Sequence, residues 1–438
     1  MFTLPTHATA PFCPSEVVGS VSVAQSDPVW KKVLRFAGPG LLISIGYMDP
    51  GNWATAISAG STFGYSLLFV VVLSSVSAML LQSISLRLGI ATGKDLASLC
   101  SAQYSRRTSL LMWGFAEISI IACDIAEVLG CALAFKLILG VTLPVGIGIT
   151  ALDTVLVLGL KGAGFRKIEA IVLALIATIS SCLLAELVLL QPCWDCAAQG
   201  LLPTMQTLEN IDGLYLAIGI LGATVMPHNL YLHSSVVLTR KIGDSDAGRS
   251  AAIRFANIDT IVSLSFALLI NAAILIMAAA AFHGKTVVTE LDDAYHLLDP
   301  VSGSAFAGLL FGIGLLASGQ SSTFTGTIAG QVILDGFLKK KIPCWQRRMA
   351  TRALALIPAW IGVAVWGEHS VGRLLILSQV VLSLQLPFVM YPMIKMASSE
   401  RLMGRFQTSP IVQSIAWFLF FIISAANLWL ILHTFDVM

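Results

Sequence analysis

The sequence predicts an all-α membrane protein with eleven transmembrane helices, from its composition, its apolar runs and the distribution of its charges. Of its 438 residues, 56% are hydrophobic and only 11% are charged, whereas a soluble domain carries about 25% charged residues. An apolar run of roughly 18 or more residues is long enough to cross the hydrocarbon core of a bilayer. Because such runs recur along the chain, we expect one membrane domain and not several soluble ones.

The apolar runs are separated by short polar breaks, and these breaks define the predicted spans. Segments three and eight are long for a single crossing, which indicates tilt or an interfacial extension. The predicted spans lie at about 36–58, 66–88, 109–139, 143–160, 168–190, 213–239, 255–282, 305–336, 350–367, 373–394 and 410–433.

The first thirty residues precede the apolar runs. They contain no basic segment followed by an apolar one, so they do not resemble a cleaved signal peptide. We expect residues 1–30 to be a mobile cytoplasmic tail and residues 31–438 to be a single transmembrane domain.

The lysines and arginines predict the orientation. Nearly all of the 26 basic residues fall on one side of the predicted spans; Lys285 and Arg373 lie on the other side, and Lys136 lies inside a span. Because cytoplasmic loops are enriched in basic residues, the N-terminus is expected in the cytoplasm and, with an odd span count, the C-terminus outside.

Spans one and six each contain a proline in mid-membrane, within similar local sequences. Span one reads GYMDPGNW over residues 46–53, and span six reads ATVMPHNL over residues 223–230. Proline removes a helical hydrogen bond, and unwound backbone at membrane depth survives only when it is buried or lines a cavity. The alternative interpretation is a pair of ordinary proline kinks. Asp49 argues against it, because it places an ionisable group at the same depth.

The matching breaks predict an inverted repeat. Span one runs outward and span six runs inward, so the two halves are related by inversion, and paired broken spans indicate a transporter's binding site. Repeat one covers about 31–190, repeat two about 211–395, and an extra helix follows at about 410–433.

The residues at the two breaks predict a cation site. Breaking the helices frees the carbonyl groups of Gly46 and Ala223, which, with the Asp49 carboxylate and the Asn52 amide oxygen, give a hard oxygen set. Met226 adds a soft thioether, which suits manganese, iron or cadmium and suits calcium or magnesium poorly. Simple packing is the alternative role for a methionine.

A second group of polar residues predicts a proton pathway. Glu117, Asp124 and Glu127 lie on one stripe of span three, and His228 and His233 follow the break in span six. Carboxylates and histidines leading from a metal site are what a proton relay requires. Structural ion pairs, such as Asp124 or Glu127 with Arg352 or Arg240, are the alternative.

Three separated motifs resemble the natural resistance-associated macrophage protein (Nramp) family. They are Asp49-Pro-Gly-Asn52, Met226-Pro-His228, and the stretch GQSSTFTGTIAGQ at residues 319–331. The resemblance covers about 31–433, and within the family it is strongest to the bacterial proton-coupled manganese transporters.

The resemblance implies a leucine-transporter-like fold with a 5+5 inverted repeat, broken helices 1 and 6, and alternating access. It implies metal ligands at Asp49, Asn52, Met226 and the Ala223 carbonyl, with Gln379 joining them in an occluded state. It also implies proton roles for Asp124 and Glu127, supported by His228 and His233. In this chain Gly46 replaces an alanine common in the family.

The expected function is therefore proton-coupled import of Mn²⁺ or Fe²⁺, and of Cd²⁺ and similar ions, across the cell (inner) membrane. No enzyme activity, resident cofactor or nucleic-acid partner is expected, and the protein is expected to act as a monomer in lipid. The first alternative is a sodium-coupled amino-acid carrier, whose site would have no role for the Met226 sulfur. The second is a membrane metal sensor or an intramembrane hydrolase. A zinc hydrolase would need a histidine-rich ligand set.

Two motifs lie in predicted outside loops. Cys193-Trp-Asp-Cys196 could capture metal or act as a redox pair, or could form a local disulfide or stay as free thiols. The acidic residues of the second loop could attract cations or could simply be solvated. These residues are Glu290, Asp292, Asp293 and Asp299, with His296 among them.

Overall fold

The computed structural model describes residues 19, 21–22, 35–159, 165–203, 209–241, 245–339, 344–367 and 371–434. Most of the predicted N-terminal tail lies outside these residues. The described chain is almost entirely helical, as the composition predicts. Its helices are α1 (Pro39–Gly46), α2 (Pro50–Phe63), α3 (Leu68–Thr92), α4 (Leu96–Gln103), α5 (Arg106–Leu139), α6 (Leu143–Gly159), α7 (Phe165–Leu190), α8 (Trp194–Gln199), α9 (Ile211–Thr224), α10 (Pro227–Val236), α11 (Asp246–Phe282), α12 (Leu291–Ser302), α13 (Ala307–Leu338), α14 (Cys344–Trp366), α15 (Val371–Ala397), α16 (Glu400–Met403) and α17 (Pro410–Thr434).

Each predicted span coincides with a long helix or with a pair of short ones. Among the described residues, 8 helices are long and apolar enough to cross a membrane, so the count of eleven is not confirmed by length and hydropathy. Span one is divided into α1 and α2, and span four has a described apolar part of only Leu143–Leu152. In span eight, hydroxyl, amide and glycine residues lower the hydropathy of α13.

Two long helices organise the packing. The 34-residue α5 lies against α6, α13, α14 and α15, and the 37-residue α11 lies against α1, α2 and α3. At 1.5 Å per residue, α5 is about 51 Å long, which exceeds the ~30 Å hydrocarbon core. By contrast α17 contacts mainly α15 and exposes large apolar side chains such as Ile411, Phe418 and Phe421. The appended helix is therefore peripheral to the bundle.

Buried charges anchor α1 at the end predicted to be cytoplasmic. Asp259 of α11 accepts hydrogen bonds from the backbone N–H of Gly40, at 2.7 Å, and of Gly38, at 3.4 Å. Arg240, after span six, forms a 2.9 Å ion pair with Glu169 of α7 and donates to the Ala37 carbonyl. The start of span one is thus tied to helices from both halves of the chain.

A short β pair joins the predicted tail to the end of span six. Strand β1 (Val21–Ser22) is parallel to β2 (Arg240–Lys241), and the N–H of Gly19 donates to the Leu238 carbonyl. This part of the predicted tail therefore contacts the same region as the Arg240–Glu169 pair.

The two outside motifs have structural contacts. Cys193 and Cys196 form a disulfide at the start of α8. Glu290 accepts a 2.6 Å hydrogen bond from the N–H of Gly372, in the first turn of α15, and Asp292 pairs with Lys136 at 3.3 Å. Part of the acidic loop therefore fastens spans three and ten to the α12 region.

Candidate metal site

The two helix breaks follow from the positions of Pro50 and Pro227. In a continuous helix, the carbonyl of residue i accepts from the N–H of residue i+4. The donors for Gly46 and Ala223 would be residues 50 and 227, and both are prolines without an N–H. Accordingly α1 ends at Gly46 and α9 ends at Thr224. The two carbonyl groups predicted to bind the ion are therefore the ones whose helical donors proline has removed.

Asp49 forms the N-cap of the second half of span one. Its Oδ1 accepts from the backbone N–H of Asn52 at 2.9 Å, with Pro50 at the first helical position. An aspartate cap followed by proline is a favoured helix start. Asp49 is 0% exposed, and a buried carboxylate at membrane depth is costly unless it is paired or binds a cation.

The other carbonyls of the break are bonded by neighbouring spans. Asn271 of α11 donates to the Tyr47 carbonyl at 2.8 Å, and the Ser318 hydroxyl of α13 donates to the Met48 carbonyl. These contacts satisfy the unwound backbone that would otherwise destabilise the fold. Helices α11 and α13 thus stabilise the non-helical backbone of the break.

Asn52 connects the two breaks directly. Its Nδ2 donates to Asp49 Oδ1 at 2.7 Å and to the Ala223 carbonyl at 3.0 Å. Asp49 and Ala223 are 174 positions apart in the chain, yet a single side chain contacts both. The breaks therefore lie side by side in the bundle, as the paired-break prediction requires.

Met226 is the N-cap residue of α10, at the position equivalent to Asp49, and it is 0% exposed. Its side chain packs against Ala122 of α5 and Leu382 of α15. The sulfur also accepts a hydrogen bond from Asn229 Nδ2 at 3.6 Å. Met226 therefore lies beside the break, between spans three and ten.

Gln379 of α15 lies against both broken spans. Its Nε2 is 3.4 Å from Asp49 Oδ2, and a Cβ added at Gly51 or Gly222 would overlap the atoms of Gln379. Gln385 instead lines a small pocket with Pro227 and Tyr231. The side chain expected to join the ligands is thus the one that contacts the predicted carboxylate.

The arrangement brings together one carboxylate, one thioether, two carboxamides and two carbonyls without helical donors. Among the described residues, no group of three or more His, Cys, Asp and Glu side chains could hold a metal ion. A divalent ion at the breaks would therefore be held by backbone and neutral ligands around a single formal charge. A ligand set with only one formal charge suits an ion that must be bound and later released.

The acids of α5 separate into two groups. A Cβ at Gly326 of α13 would lie 3.0 Å from Glu127 Oε1 and 3.3 Å from Asp124 Oδ1, so these two carboxylates are neighbours. Arg352 NH1 lies 3.9 Å from Glu127 Oε2. Glu117 instead pairs with Arg347 at 2.7 Å, so it lies in an ion pair that the sequence did not predict.

The two histidines of α10 have different environments. His233 Nδ1 lies 2.9 Å from Gln82 Oε1, and the amide of Gln82 donates to the Tyr47 hydroxyl at 2.9 Å. His233 is therefore linked to the break in span one. Both ring nitrogens of His228 are buried without a hydrogen-bond partner among the described residues.

Sequence reasoning missed several residues of the site. Asn271 and Ser318 donate to the carbonyls of the two residues after Gly46, Arg347 pairs with Glu117, and Asn229 contacts Met226. Only Asn229 had a visible signal, because it occupies the same place after its proline as Asn52 does.

Comparisons with known proteins show what the chain is similar to. The model of the natural resistance-associated macrophage protein-like family matches residues 40–433. The chain is 62% identical over 436 residues to "Divalent metal cation transporter MntH 1" of Pseudomonas aeruginosa, covering 99% of each protein. It is 60% identical over 430 residues to "Divalent metal cation transporter MntH" of Ralstonia nicotianae, covering 98% of this chain and 97% of the relative.

A solved structure extends the likeness to three dimensions. A mutant of the manganese transporter of Eremococcus coleocola is 38% identical to this chain, with a TM-score of 0.89. The match covers 97% of this chain and 92% of that one. The predicted all-α, leucine-transporter-like fold is thereby confirmed.

Proposed function

The chain belongs to the Nramp family, and on that premise we propose that it imports divalent transition metals together with protons by alternating access. The substrates are Mn²⁺ and Fe²⁺, with Cd²⁺ and similar ions also accepted. Asp49, Asn52, Met226 and Gln379 supply side-chain ligands, and Gly46 and Ala223 supply carbonyl oxygens.

One observation supports this proposal above the others. The Asn52 amide donates to both the Asp49 carboxylate and the Ala223 carbonyl, so ligands from two inverted breaks are within reach of one ion. Met226 lies at the second break, where its thioether favours transition metals over calcium and magnesium. An amino-acid carrier on this fold would need space and helix N-termini for a carboxylate, and a buried Asp49 would repel that group.

Proton coupling has a direct electrostatic basis. A dication beside Asp49 favours the ionised carboxylate, so metal binding releases any proton that the carboxyl group holds. We propose that this proton passes to Asp124 and Glu127, with His228 and His233 in support. Arg352, close to Glu127, would stabilise its ionised form. Glu117 contributes less directly, since its ion pair with Arg347 stabilises its own charge.

The protein is a multi-pass membrane transporter, and we propose that it lies in the bacterial inner membrane and works as a monomer. In this arrangement the N-terminus is cytoplasmic and the C-terminus is outside. Residues 1–30 form the cytoplasmic tail, and residues 31–438 form the single transporter domain.

Uptake into proteoliposomes tests the proposal. With purified protein, external Mn²⁺ is expected to enter and to acidify the lumen, whereas Mg²⁺ and leucine are not expected to enter. Fluorescent metal and pH indicators inside the same vesicles report both fluxes. Metal uptake without acidification would contradict the coupling, and uptake of leucine would favour the amino-acid carrier.

Replacement of the carboxylate tests the site within the same assay. Asp49→Ala is expected to abolish Mn²⁺ uptake, because the remaining ligands carry no formal charge. The matched control is Asp246→Asn, which removes an exposed carboxylate paired with Arg405 and should leave uptake intact. Full-rate uptake by Asp49→Ala would refute the site assignment.

A further inference from the structure

Asn229 occupies the position in repeat two that Asn52 occupies in repeat one. Each is the third residue of a helix that begins with proline, and each follows an N-cap residue proposed as a ligand, Asp49 or Met226. Asp49 lies three residues after Gly46, and Met226 lies three residues after Ala223, the two residues whose carbonyls lack a helical donor. The inverted repeat therefore places two carboxamides in equivalent positions around the breaks.

The two asparagines also have similar neighbours. Asn52 Nδ2 donates to the side chain of its own cap, Asp49, and reaches across to the Ala223 carbonyl. Asn229 Nδ2 donates to the side chain of its own cap, Met226, at 3.6 Å. It also lies across from Gly46, because a Cβ added at Gly46 would fall on that amide nitrogen.

The amide nitrogen of Asn229 has an unusual partner for a buried asparagine. The residue is 0% exposed, and its Oδ1 has no hydrogen-bond partner among the described residues. The side-chain oxygens of Asn271 and Gln379 also lack a partner among those residues, so this feature is shared by amides around the breaks. What is particular to Asn229 is that its nitrogen donates to a thioether.

We propose that Asn229 is a positioning residue that fixes the orientation of the Met226 thioether and thereby sets the preference for soft metal ions. The proposal rests on the transport function above. The amide donates to one region of the sulfur, which restrains the flexible methionine side chain and leaves the other lone pair for the ion. Gly46 takes part because it leaves room for that amide beside the first break.

The first test compares ions that differ in softness. Outer-shell partners of metal ligands are typically worth about 10–100-fold in affinity, so Asn229→Ala should raise the KM for Cd²⁺ by about 10-fold. The KM for Mn²⁺, which relies more on oxygen ligands, should rise much less. Equal changes for both ions would overturn the proposal, and wild-type protein that moved neither ion would instead refute the transport function.

A double-mutant cycle tests whether Asn229 acts through Met226. In the Met226→Ala background, Asn229→Ala should cause no further change in the ratio of the Cd²⁺ and Mn²⁺ KM values, because the group that it orients is absent. A shift as large as in the wild-type background would overturn the proposal. X-ray absorption of bound Cd²⁺ should show a sulfur shell in the wild type that is weakened in Asn229→Ala.

Asn271→Ala is the matched control. Asn271 is also a buried asparagine at the break, but its amide donates to the Tyr47 carbonyl and not to Met226. Its loss should slow the transport of both ions and leave the ratio of their KM values unchanged. A change in that ratio as large as for Asn229→Ala would show that general disturbance of the break, and not sulfur orientation, determines selectivity.

Gly46→Ala provides a second variant in which the Asn229 side chain is retained. The added Cβ should displace the amide and raise the Cd²⁺ KM in the same direction as Asn229→Ala. In the Asn229→Ala background it should have no further effect on the Cd²⁺ to Mn²⁺ ratio. Additive effects in the double variant would contradict the proposed link between Gly46 and Asn229.

Discussion

At the scale of single residues, the candidate site depends on side chains that contact both halves of the chain. Asn52 joins Asp49 to Ala223, and Gln379 contacts Asp49 from α15. Several other acids of the bundle pair with a cation, as Glu117 does with Arg347 and Glu169 with Arg240. Asp49 is bonded by neutral groups alone, which leaves its charge for a transported cation.

Met226 is proposed to determine which cations are favoured. Met226→Ala removes the soft ligand, so the preference for Cd²⁺ over Ca²⁺ should fall by on the order of 10-fold. Competition of each ion against labelled Mn²⁺ uptake in proteoliposomes measures that preference. Unchanged discrimination between Cd²⁺ and Ca²⁺ would indicate that Met226 only fills space.

At the scale of elements, two kinds of contact hold the broken helices. Pro50 and Pro227 end the first halves, and side chains from α11 and α13 donate to the other carbonyls of the first break, at Tyr47 and Met48. Outside the membrane, Glu290 caps α15 through the N–H of Gly372. A cap at this position couples the α12 region to the span that carries Gln379.

The burial of Glu290 predicts a pH dependence of stability. Burial raises the pKa of Glu290 above its usual value, despite the opposing hydrogen bond from Gly372. The folded protein therefore binds this proton more tightly than the unfolded chain does. The corresponding stability is present at low pH and is lost as pH rises through the window above the ordinary glutamate pKa of about 4.3.

The variant Glu290→Gln tests the direction of this change in stability with pH, because glutamine stays neutral and still accepts a hydrogen bond from Gly372. In detergent, the Tm of the wild type relative to this variant should fall as pH rises from about 4 to 7. Glu400→Gln, at an exposed position on the opposite side of the predicted membrane, serves as the control. Parallel Tm curves for wild type and Glu290→Gln would contradict the raised pKa of Glu290.

At the scale of the whole molecule, the two halves meet along their broken spans. Helix α2 packs against α9, and α1 packs against α10. The Arg240–Glu169 pair and the strand pair β1–β2 lie together at one end, whereas the Glu290 cap and the Cys193–Cys196 disulfide belong to the loops predicted at the other. Alternating access would require the contacts at these two ends to open in turn.

Reporter fusions test the proposed orientation. A periplasmic phosphatase fused after Met438 should be active, and a fluorescent protein fused there should be dark, because the C-terminus is proposed to lie outside. Fusions after Ser398, between α15 and α17, should give the opposite result. A fluorescent C-terminal fusion would contradict the proposed outside C-terminus, which follows from a cytoplasmic N-terminus and an odd span count.

The sequence by itself determined the all-α membrane fold and the two breaks, and it predicted most of the candidate ligands. Apolar runs predict helices because hydrocarbon requires internal hydrogen bonding, and Pro50 and Pro227 identify the carbonyls left without helical donors. These are local consequences of residue type, so they need no knowledge of neighbouring helices. Asp49, Asn52 and Met226 were predicted from the residues at the breaks, and Gln379 from the family resemblance alone.

Only the tertiary structure decided which residues meet. Helical periodicity predicts that Glu117 shares a face with Asp124 and Glu127, yet Glu117 pairs with Arg347 while Glu127 approaches Arg352. The contact of Asn229 with Met226, and its approach to Gly46, likewise required coordinates. The rotation and crossing of packed helices set these contacts, and both depend on the shapes of all the interlocking side chains and not on any one segment.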